Sequence, residues 1–331
     1  MIKSNLFILF IIYIGNITKI KSEDCQFLPP RNMVGVEVYI ADIYDLNFSG
    51  NSFKTTIWLA AVYEKNLLKG KNLNKSTEIV NANSINISNE TIEIINCNSK
   101  EYYWTNKKLE ATIKKNWDVK DFPFEYNKLE IQIEDALLDF NLLSYCTLKN
   151  NSILDSKIKL KGWSIDSSSI KCLINEYPTT FGDPRLNSTS KFSQVNLTIY
   201  ISRTNKWYLL LSTLLGCWTA FFLSVLSLFY PVRDVGYRLT HLTASVFLII
   251  GNKHVLDTKL NEIRDSTLVD NLLLLNFIFV AITACLTLIM YSFNYIFYKE
   301  GGFVRVLLIN SIAISIYIIT AICLIINSLN L

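Results

Sequence analysis

Apolar and polar residues alternate with a period of two in several short runs between residues 24 and 203. The runs are GVEVYIADIYDL, SFKTTIWLAAVY, KLEIQIED, KIKLKGWSID and QVNLTIYIS, and clusters of Asn, Ser, Gly and Asp separate them. Successive side chains of a strand point to opposite faces, so this alternation predicts strands with one buried face. Many short strands without a helical stretch predict an all-β sandwich.

The pattern changes at residue 207. Residues 207–230, 271–298 and 306–331 contain no charged residue. Each run exceeds the ~20 apolar residues that a helix needs to span a bilayer. Several aromatic residues stand at the ends of these runs, as they do at membrane–water interfaces. The pattern therefore predicts three membrane-spanning helices.

Residues 235–259 form a fourth predicted helix of a different kind. Only residues 239–252 are uncharged, and Arg238 and Lys253 bound them. Ionisable groups at membrane depth are costly unless they face protein or water. We therefore expect this helix to lie inside a bundle and to line an aqueous path. A buried bundle helix without a pore is the alternative interpretation.

One face of this helix carries residues of mixed polarity. Steps of four and three residues place on one stripe Thr240, Ala244, Phe247, Gly251, His254 and Thr258. His241 lies about 220° around the helix from His254 at 3.6 residues per turn, so the two histidines do not share this face. The stripe combines two hydroxyls, two small residues, a phenylalanine and an imidazole, as expected of a helix face that lines a water-filled path.

The composition agrees with two parts of different character. A hydrophobic fraction of 50% and a mean hydropathy of +0.27 are high for a soluble domain, while 18% charged residues is high for a chain wholly within a membrane. The net charge of +4 is small for this length, so we expect no nucleic-acid partner.

The start of the chain resembles an export signal. Lys3 precedes a short apolar run at residues 6–14, which predicts a signal peptide over residues 1–22. The exported sandwich is then expected at residues 23–204 and the membrane part at residues 205–331. The four helices are expected at about residues 205–230, 235–259, 268–298 and 303–329.

Four cysteines precede the apolar runs, and they permit two disulfides in three pairings. They are Cys25, Cys97, Cys146 and Cys172. Since Cys146 and Cys172 flank one loop, we expect a disulfide between them. Four free thiols are the alternative.

Several motifs occur in an order known from one family of membrane proteins. They are VGVEVYIADIYDLNFSGNSFK, DFPFEYNKLEIQIE, GWSID, ISR ending at Arg203, CWTAF, and PVRDVGYRL running without a gap to LDTKL. Over residues 32–330 they resemble the pentameric ligand-gated ion channels, particularly the prokaryotic type. The resemblance implies an immunoglobulin-like sandwich of about ten strands, a four-helix transmembrane bundle and a homopentamer around a central pore.

The resemblance also implies roles along the predicted pore helix. Phe247 falls at the level of a hydrophobic gate, Thr240 at a hydroxyl constriction and His254 in an outer ring. The charges at the pore mouths are Asp234 and Asp257, which favour cations. Packing of Phe247 between helices and a neutral, satisfied His254 are the alternatives.

The same resemblance places a coupling site between the two parts. Glu125 and Arg203 match family positions that form an ion pair there, and Asp45 lies near the first hairpin loop. The possible ligand contacts, in the loop that usually covers an agonist, are Tyr177, Phe181 and Arg185. Among the departures from the family pattern, no cysteine pair flanks FPFE and the acidic residues of proton sensing do not match.

The expected partners are four further copies of the chain, membrane lipid, a small-molecule or ionic agonist and permeating ions. We expect no cofactor, no metal site and no enzymatic activity, since both histidines lie on different faces of one helix and no nucleophile motif appears. The expected location is a cell membrane crossed several times, most simply a bacterial inner membrane with a periplasmic sandwich. A non-conducting membrane sensor is the alternative function.

Overall fold

The computed structural model describes most of the chain. The described residues are 25, 27–68, 73–148, 153–184, 188–260, 265–292 and 302–329. The expected signal peptide at residues 1–22 and the expected ligand contact Arg185 lie outside them.

Nine strands form the N-terminal part. Their bounds are β1 Val34–Asn47, β2 Ser52–Glu64, β3 Thr77–Ile79, β4 Ala82–Cys97, β5 Lys100–Lys114, β6 Tyr126–Asp135, β7 Tyr145–Thr147, β8 Trp163–Tyr177 and β9 Ser190–Arg203. A short helix, α1 at Leu73–Ser76, precedes β3.

The strands build two sheets that face each other. The five-stranded sheet has the order β4-β5-β2-β1-β7, and the four-stranded sheet has the order β3-β6-β9-β8. Neighbouring strands are antiparallel except β1 and β7, which are parallel. The core between the sheets contains fully buried β-branched and leucine side chains, including Ile40, Ile57, Ile113, Leu129 and Ile131. The predicted sandwich is therefore present, with nine strands in the described residues.

Five helices follow the sandwich in the described residues. They are α2 Lys206–Thr213, α3 Leu215–Phe229, α4 Val235–Leu260, α5 Leu268–Ser292 and α6 Gly302–Leu329. The first predicted helix is broken: α2 and α3 meet at an angle of 54°. Leu214 between them has φ −92° and ψ 10°, which is not helical backbone.

The expected four-helix transmembrane bundle is wrong. Only two helices of the described residues, Leu268–Ser292 and Val306–Leu329, are long and apolar enough to cross a membrane. The count rises to three if the bent pair α2 and α3 is one span. Helix α4 is not among them, because polar residues such as Arg238 and His241 interrupt its apolar positions.

The expected disulfide is also wrong. Cys25 is bonded to Cys97 with their Cα atoms 5.6 Å apart, whereas Cys146 and Cys172 are free thiols. Cys146 lies in β7 of the five-stranded sheet and Cys172 in β8 of the other sheet, and no bond joins them. The Cys146 thiol donates to the Val34 carbonyl at 3.5 Å instead.

Direct contacts join the sandwich to the helices. The Leu268 amide donates to the Lys120 carbonyl at 2.8 Å. The Ser328 hydroxyl, near the end of α6, donates to the Asp121 carboxylate at 3.0 Å. Phe124 packs edge-on against Trp207, with ring centres 5.0 Å apart. The loop between β5 and β6 therefore rests on three helices.

Candidate pore helix and junction site

Helix α4 has one exposed stripe and one buried face. All six residues of the predicted stripe are exposed in the single chain: Thr240, Ala244, Phe247, Gly251, His254 and Thr258. Phe247 leaves 69% of its surface uncovered, which is unusual for a phenylalanine in a helix bundle. Leu242, Ile249 and Leu256 point the other way and are buried. The helix thus presents a mixed-polarity surface that this chain alone does not cover.

The hydroxyls of the stripe are satisfied within the helix. Thr240 donates to the Gly236 carbonyl at 2.9 Å, and Thr258 donates to the Val255 carbonyl at 2.9 Å. Their oxygens keep acceptor lone pairs for water or an ion.

The buried face of α4 is bound to α3 by polar contacts. Ser245 donates to the Ala220 carbonyl at 2.9 Å, and Ser224 donates to Ser245 at 3.1 Å. Arg238 is buried and donates from Nε to the Tyr230 carbonyl at 3.0 Å, beyond the end of α3. A guanidinium at a helix C-terminus pairs with otherwise unsatisfied carbonyls, so Arg238 points away from the stripe.

The two predicted mouth charges have different surroundings. Asp257 forms an ion pair with Lys253 at 2.5 Å, and Lys253 also contacts Asp270 on α5 at 3.1 Å. Asp234 lies just before α4, where its carbonyl accepts from the Arg238 amide at 3.4 Å. Because the Lys253 ammonium lies beside Asp257, it partly offsets the negative charge of that carboxylate.

The structure brings together two of the three predicted coupling residues. Arg203 donates from Nε to Oε1 of Glu125 at 2.7 Å. Asp45 instead forms an ion pair with Lys54 at 2.7 Å. Asp45 and Arg203 line the same cavity between the sandwich and the helices, so they are near each other without being paired.

The Glu125–Arg203 pair is enclosed by aromatic rings. The guanidinium carbon of Arg203 lies 4.2 Å from the ring centre of Trp163 and 5.2 Å from those of Phe48 and Phe122. Burial raises the pKa of Glu125 above its usual range, and the charge of Arg203 offsets this only in part. In the described part of the chain, Oε2 of Glu125 has no hydrogen-bond partner.

The predicted ligand contacts that the structure describes lie on one aromatic cluster. Ring centres of Tyr177 and Phe181 are 5.5 Å apart, and each lies within 6.0 Å of Phe192 on β9. The Tyr177 hydroxyl donates to Oε2 of Glu134 at 2.9 Å. Burial, followed by this hydrogen bond, raises the pKa of Tyr177 to about 12.

Sequence reasoning missed Glu134. It is 4% exposed and also accepts hydrogen bonds from Asn175 at 2.8 Å and from Gln194 at 2.6 Å. An acid on the outward face of a strand is normally expected to be solvated, but here the side chains of Asn175 and Tyr177 on β8 and of Gln194 on β9 hydrogen-bond to Glu134. A buried carboxylate beneath an aromatic cluster can bind a cationic or hydrogen-bond-donating group.

No family model matches this chain, and no curated protein matches it. Among the described residues, no group of three or more His, Cys, Asp or Glu side chains is placed to hold a metal ion. Three features of the structure are candidates for a functional role: the α4 stripe, the Glu125–Arg203 pair and the aromatic cluster over Glu134.

Proposed function

We propose that the chain is one subunit of a pentameric ligand-gated ion channel, with α4 lining the pore. The observation that carries the proposal is the exposed stripe of α4, which holds Phe247 beside hydroxyls, small residues and an imidazole. Lipid contact does not select hydroxyls or an imidazole, whereas a water-filled path shared by several copies does. An odd ring of identical subunits is closed by head-to-tail contacts.

We propose that the protein lies in a membrane with its sandwich outside the cytoplasm. Two helices are long and apolar enough to cross a membrane, which supports membrane association. The Cys25–Cys97 disulfide supports an oxidising compartment for the sandwich. We also propose that each subunit crosses the membrane several times and that this membrane is a bacterial inner membrane.

Within such a pore, Phe247 would close the path. Five phenylalanine rings at one level exclude water from a narrow constriction and block ions without filling it. Thr240 would form a hydroxyl ring towards one end and His254 a ring towards the other. We propose cations as the permeating ions, with Asp234 at the inner mouth, because Lys253 offsets the charge of Asp257.

Gating would begin at the aromatic cluster, and the resulting movement would pass along β9 to the loop between β5 and β6. An agonist that contacts Tyr177 and Phe181 would shift β9, since Phe192 on that strand belongs to the same cluster. Arg203 ends β9 and is bound to Glu125, beside the loop that rests on the helices. This continuous path of packed groups supports a coupling role for the Glu125–Arg203 pair. We infer no catalytic activity.

A matched pair of cysteine variants tests whether the stripe faces a pore. Ala244→Cys lies on the stripe, whereas Ile249→Cys lies on the opposite, buried face of the same helix. A charged, water-soluble thiol reagent should block current through Ala244→Cys and leave Ile249→Cys unaffected. Equal block of both variants, or of neither, contradicts the assignment of the stripe to the pore.

The alternative is a non-conducting sensor with the same ligand site. The aromatic cluster over Glu134 supports a sensor as much as it supports a channel, whereas the α4 stripe supports only a channel. In a sensor, ligand binding measured by quenching of the sandwich fluorescence persists while no variant of α4 ever carries current.

A further inference from the structure

Lys253 joins helix α4 to helix α5 through two ion pairs. Its ammonium lies 2.5 Å from Oδ1 of Asp257, one turn further along α4. It also lies 3.1 Å from Oδ1 of Asp270, which stands in the first turn of α5. These two contacts together are called the Lys253 bridge here.

Asp270 is held in place from its other side. Its Oδ2 accepts from the Thr267 amide at 2.9 Å and from the Thr267 hydroxyl at 2.8 Å, while the Asp270 amide donates to the same hydroxyl at 3.1 Å. This reciprocal bonding is a capping arrangement that fixes the start of a helix. Only 12% of the Asp270 side chain is exposed, so solvent ions screen its pair with Lys253 less than they screen a surface pair.

The start of α5 is also bound to the sandwich. The Leu268 amide donates to the Lys120 carbonyl at 2.8 Å. Lys120 belongs to the loop between β5 and β6, and the same loop carries Glu125, the partner of Arg203. Consecutive contacts therefore lead from the end of β9 to α5 and, through Lys253, to α4.

Apolar residues pack α4 and α5 together below the bridge. Ile249 and Leu256 of α4 belong to one buried cluster with Leu272 and Leu273 of α5. Apolar packing is not directional, and packed helices can slide past each other over small distances. A charge-assisted hydrogen bond has a defined geometry. The Lys253 bridge therefore fixes the position of α4 along α5 more closely than the apolar contacts do.

The bridge lies close to Phe247 but on another face of the helix. Lys253 follows Phe247 by six residues, which corresponds to about 9 Å along the helix axis and about 120° around it. Phe247 stands on the exposed stripe, whereas Lys253 contacts α5. Lys253 therefore acts on the stripe only through the position of α4.

We propose that Lys253 is a positioning residue of the pore, because its bridge to Asp270 holds the outer half of α4 where the Phe247 rings close the path. Removal of the ammonium leaves the carboxylates of Asp257 and Asp270 without their shared cation. The two negative charges then repel each other and push α4 away from α5. This inference rests on the proposed pore-lining role of α4.

Standing current without agonist, divided by the amount of pentamer in the membrane, tests the bridge in the full-length protein. Lys253→Met should carry at least about fivefold more standing current than wild type, a factor typical of coupling between two sites. Lys253→Arg keeps the charge and should give the wild-type current. Asp257→Asn is the matched control, since it breaks only the pair within α4 and should also give the wild-type current.

A double variant separates positioning from a general loss of stability. Asp270→Asn removes the charge while its amide oxygen still accepts from Thr267, so it should raise the standing current as Lys253→Met does. Both changes together should add nothing to Lys253→Met alone, because they remove the same contact. Lys253 has 47% of its side chain exposed, so its replacement should leave assembly intact. Lys253→Gln takes the place of Lys253→Met where methionine prevents assembly.

Three results would overturn the role of Lys253 while Phe247→Ala conducts. They are wild-type standing current in Lys253→Met, equal currents in Lys253→Arg and Lys253→Met, and additive effects of Lys253→Met and Asp270→Asn. In these cases the channel proposal stands and only the bridge fails. If Phe247→Ala does not conduct either, the channel proposal is wrong and the role of Lys253 falls with it.

Discussion

Arg203 and Glu125 form a hydrogen-bonded ion pair with Nε and Oε1 2.7 Å apart. Glu125 lies on the loop beneath the sandwich, and Arg203 is the last residue of β9. The pair therefore joins the last strand to the loop that contacts α2, α5 and α6. Any movement of β9 relative to the helices has to move this pair or break it.

Glu125 should make stability depend on pH in an unusual direction for a paired carboxyl. Its native pKa is raised above 4.5, so its stabilising contribution is fully present below pH 4.5 and is lost as the pH rises through the native value. Thermal unfolding of wild type and Glu125→Gln between pH 4 and 7 checks this. Wild type should lose stability relative to the variant as the pH rises, and parallel curves would contradict the burial argument.

Arg203→Lys should destabilise the protein although it keeps the charge. Lysine cannot reproduce the planar contact with Trp163 or the directed Nε bond, and the expected loss is about 1–2 kcal/mol. Arg233→Lys is the control, because Arg233 is exposed and its replacement should cost less than about 0.5 kcal/mol. Equal unfolding midpoints of the two variants in urea would refute the aromatic enclosure.

A double-mutant cycle separates the pair from its surroundings. Combining Glu125→Gln with Arg203→Gln should give an interaction energy of about 1–3 kcal/mol, because the two groups contact each other directly. Additive effects of the two changes would mean that the pair contributes nothing beyond its separate parts.

Removal of the Cys25–Cys97 disulfide should cost about 3–5 kcal/mol, since it closes a segment with a sequence separation of 72. The control is Cys146→Ser with Cys172→Ser, which removes two free thiols and should cost about 1 kcal/mol or less. Thermal unfolding with and without a reducing agent measures both. A larger loss in the control would point to the other pairing.

Tyr177 should titrate near pH 12 because of burial and its bond to Glu134. Glu134→Gln should lower the pKa of Tyr177 towards 10.0 without reaching it, since burial is the larger cause. The phenolate absorbance of each protein, minus that of Tyr177→Phe, isolates this residue. An unchanged pKa in Glu134→Gln would show that the carboxylate is not the partner in solution.

Period-two patterning predicts the strands that have one buried face and fails elsewhere. It indicates β1 and β6 correctly. In β4 the isoleucines at 85, 87, 92 and 94 also alternate with polar residues, but they are exposed, so alternation there does not mark a buried face. It also predicts a strand over KIKLKGWSID, whereas β8 begins only at Trp163. In residues 157–161 the apolar positions Ile158 and Leu160 pack on the core, so alternation arises there without strand pairing.

The remaining errors concern contacts distant in sequence. The break between α2 and α3 lies at Leu214, which is neither Gly nor Pro, so the residue type does not predict a kink there. Cysteine pairing depends on which residues the fold brings together, and loop position does not determine that. The α4 stripe was within reach of sequence reasoning because helical periodicity is local. Glu134 was not, because strands β8 and β9 bury it.

Current across a voltage-clamped membrane that contains Phe247→Ala beside wild type tests the pore assignment most directly. If α4 lines a pore that Phe247 closes, Phe247→Ala carries a standing current without agonist, and its reversal potential in asymmetric salt indicates cations. If both proteins reach the membrane as pentamers and neither conducts at any pH, the channel proposal is wrong and the sensor remains.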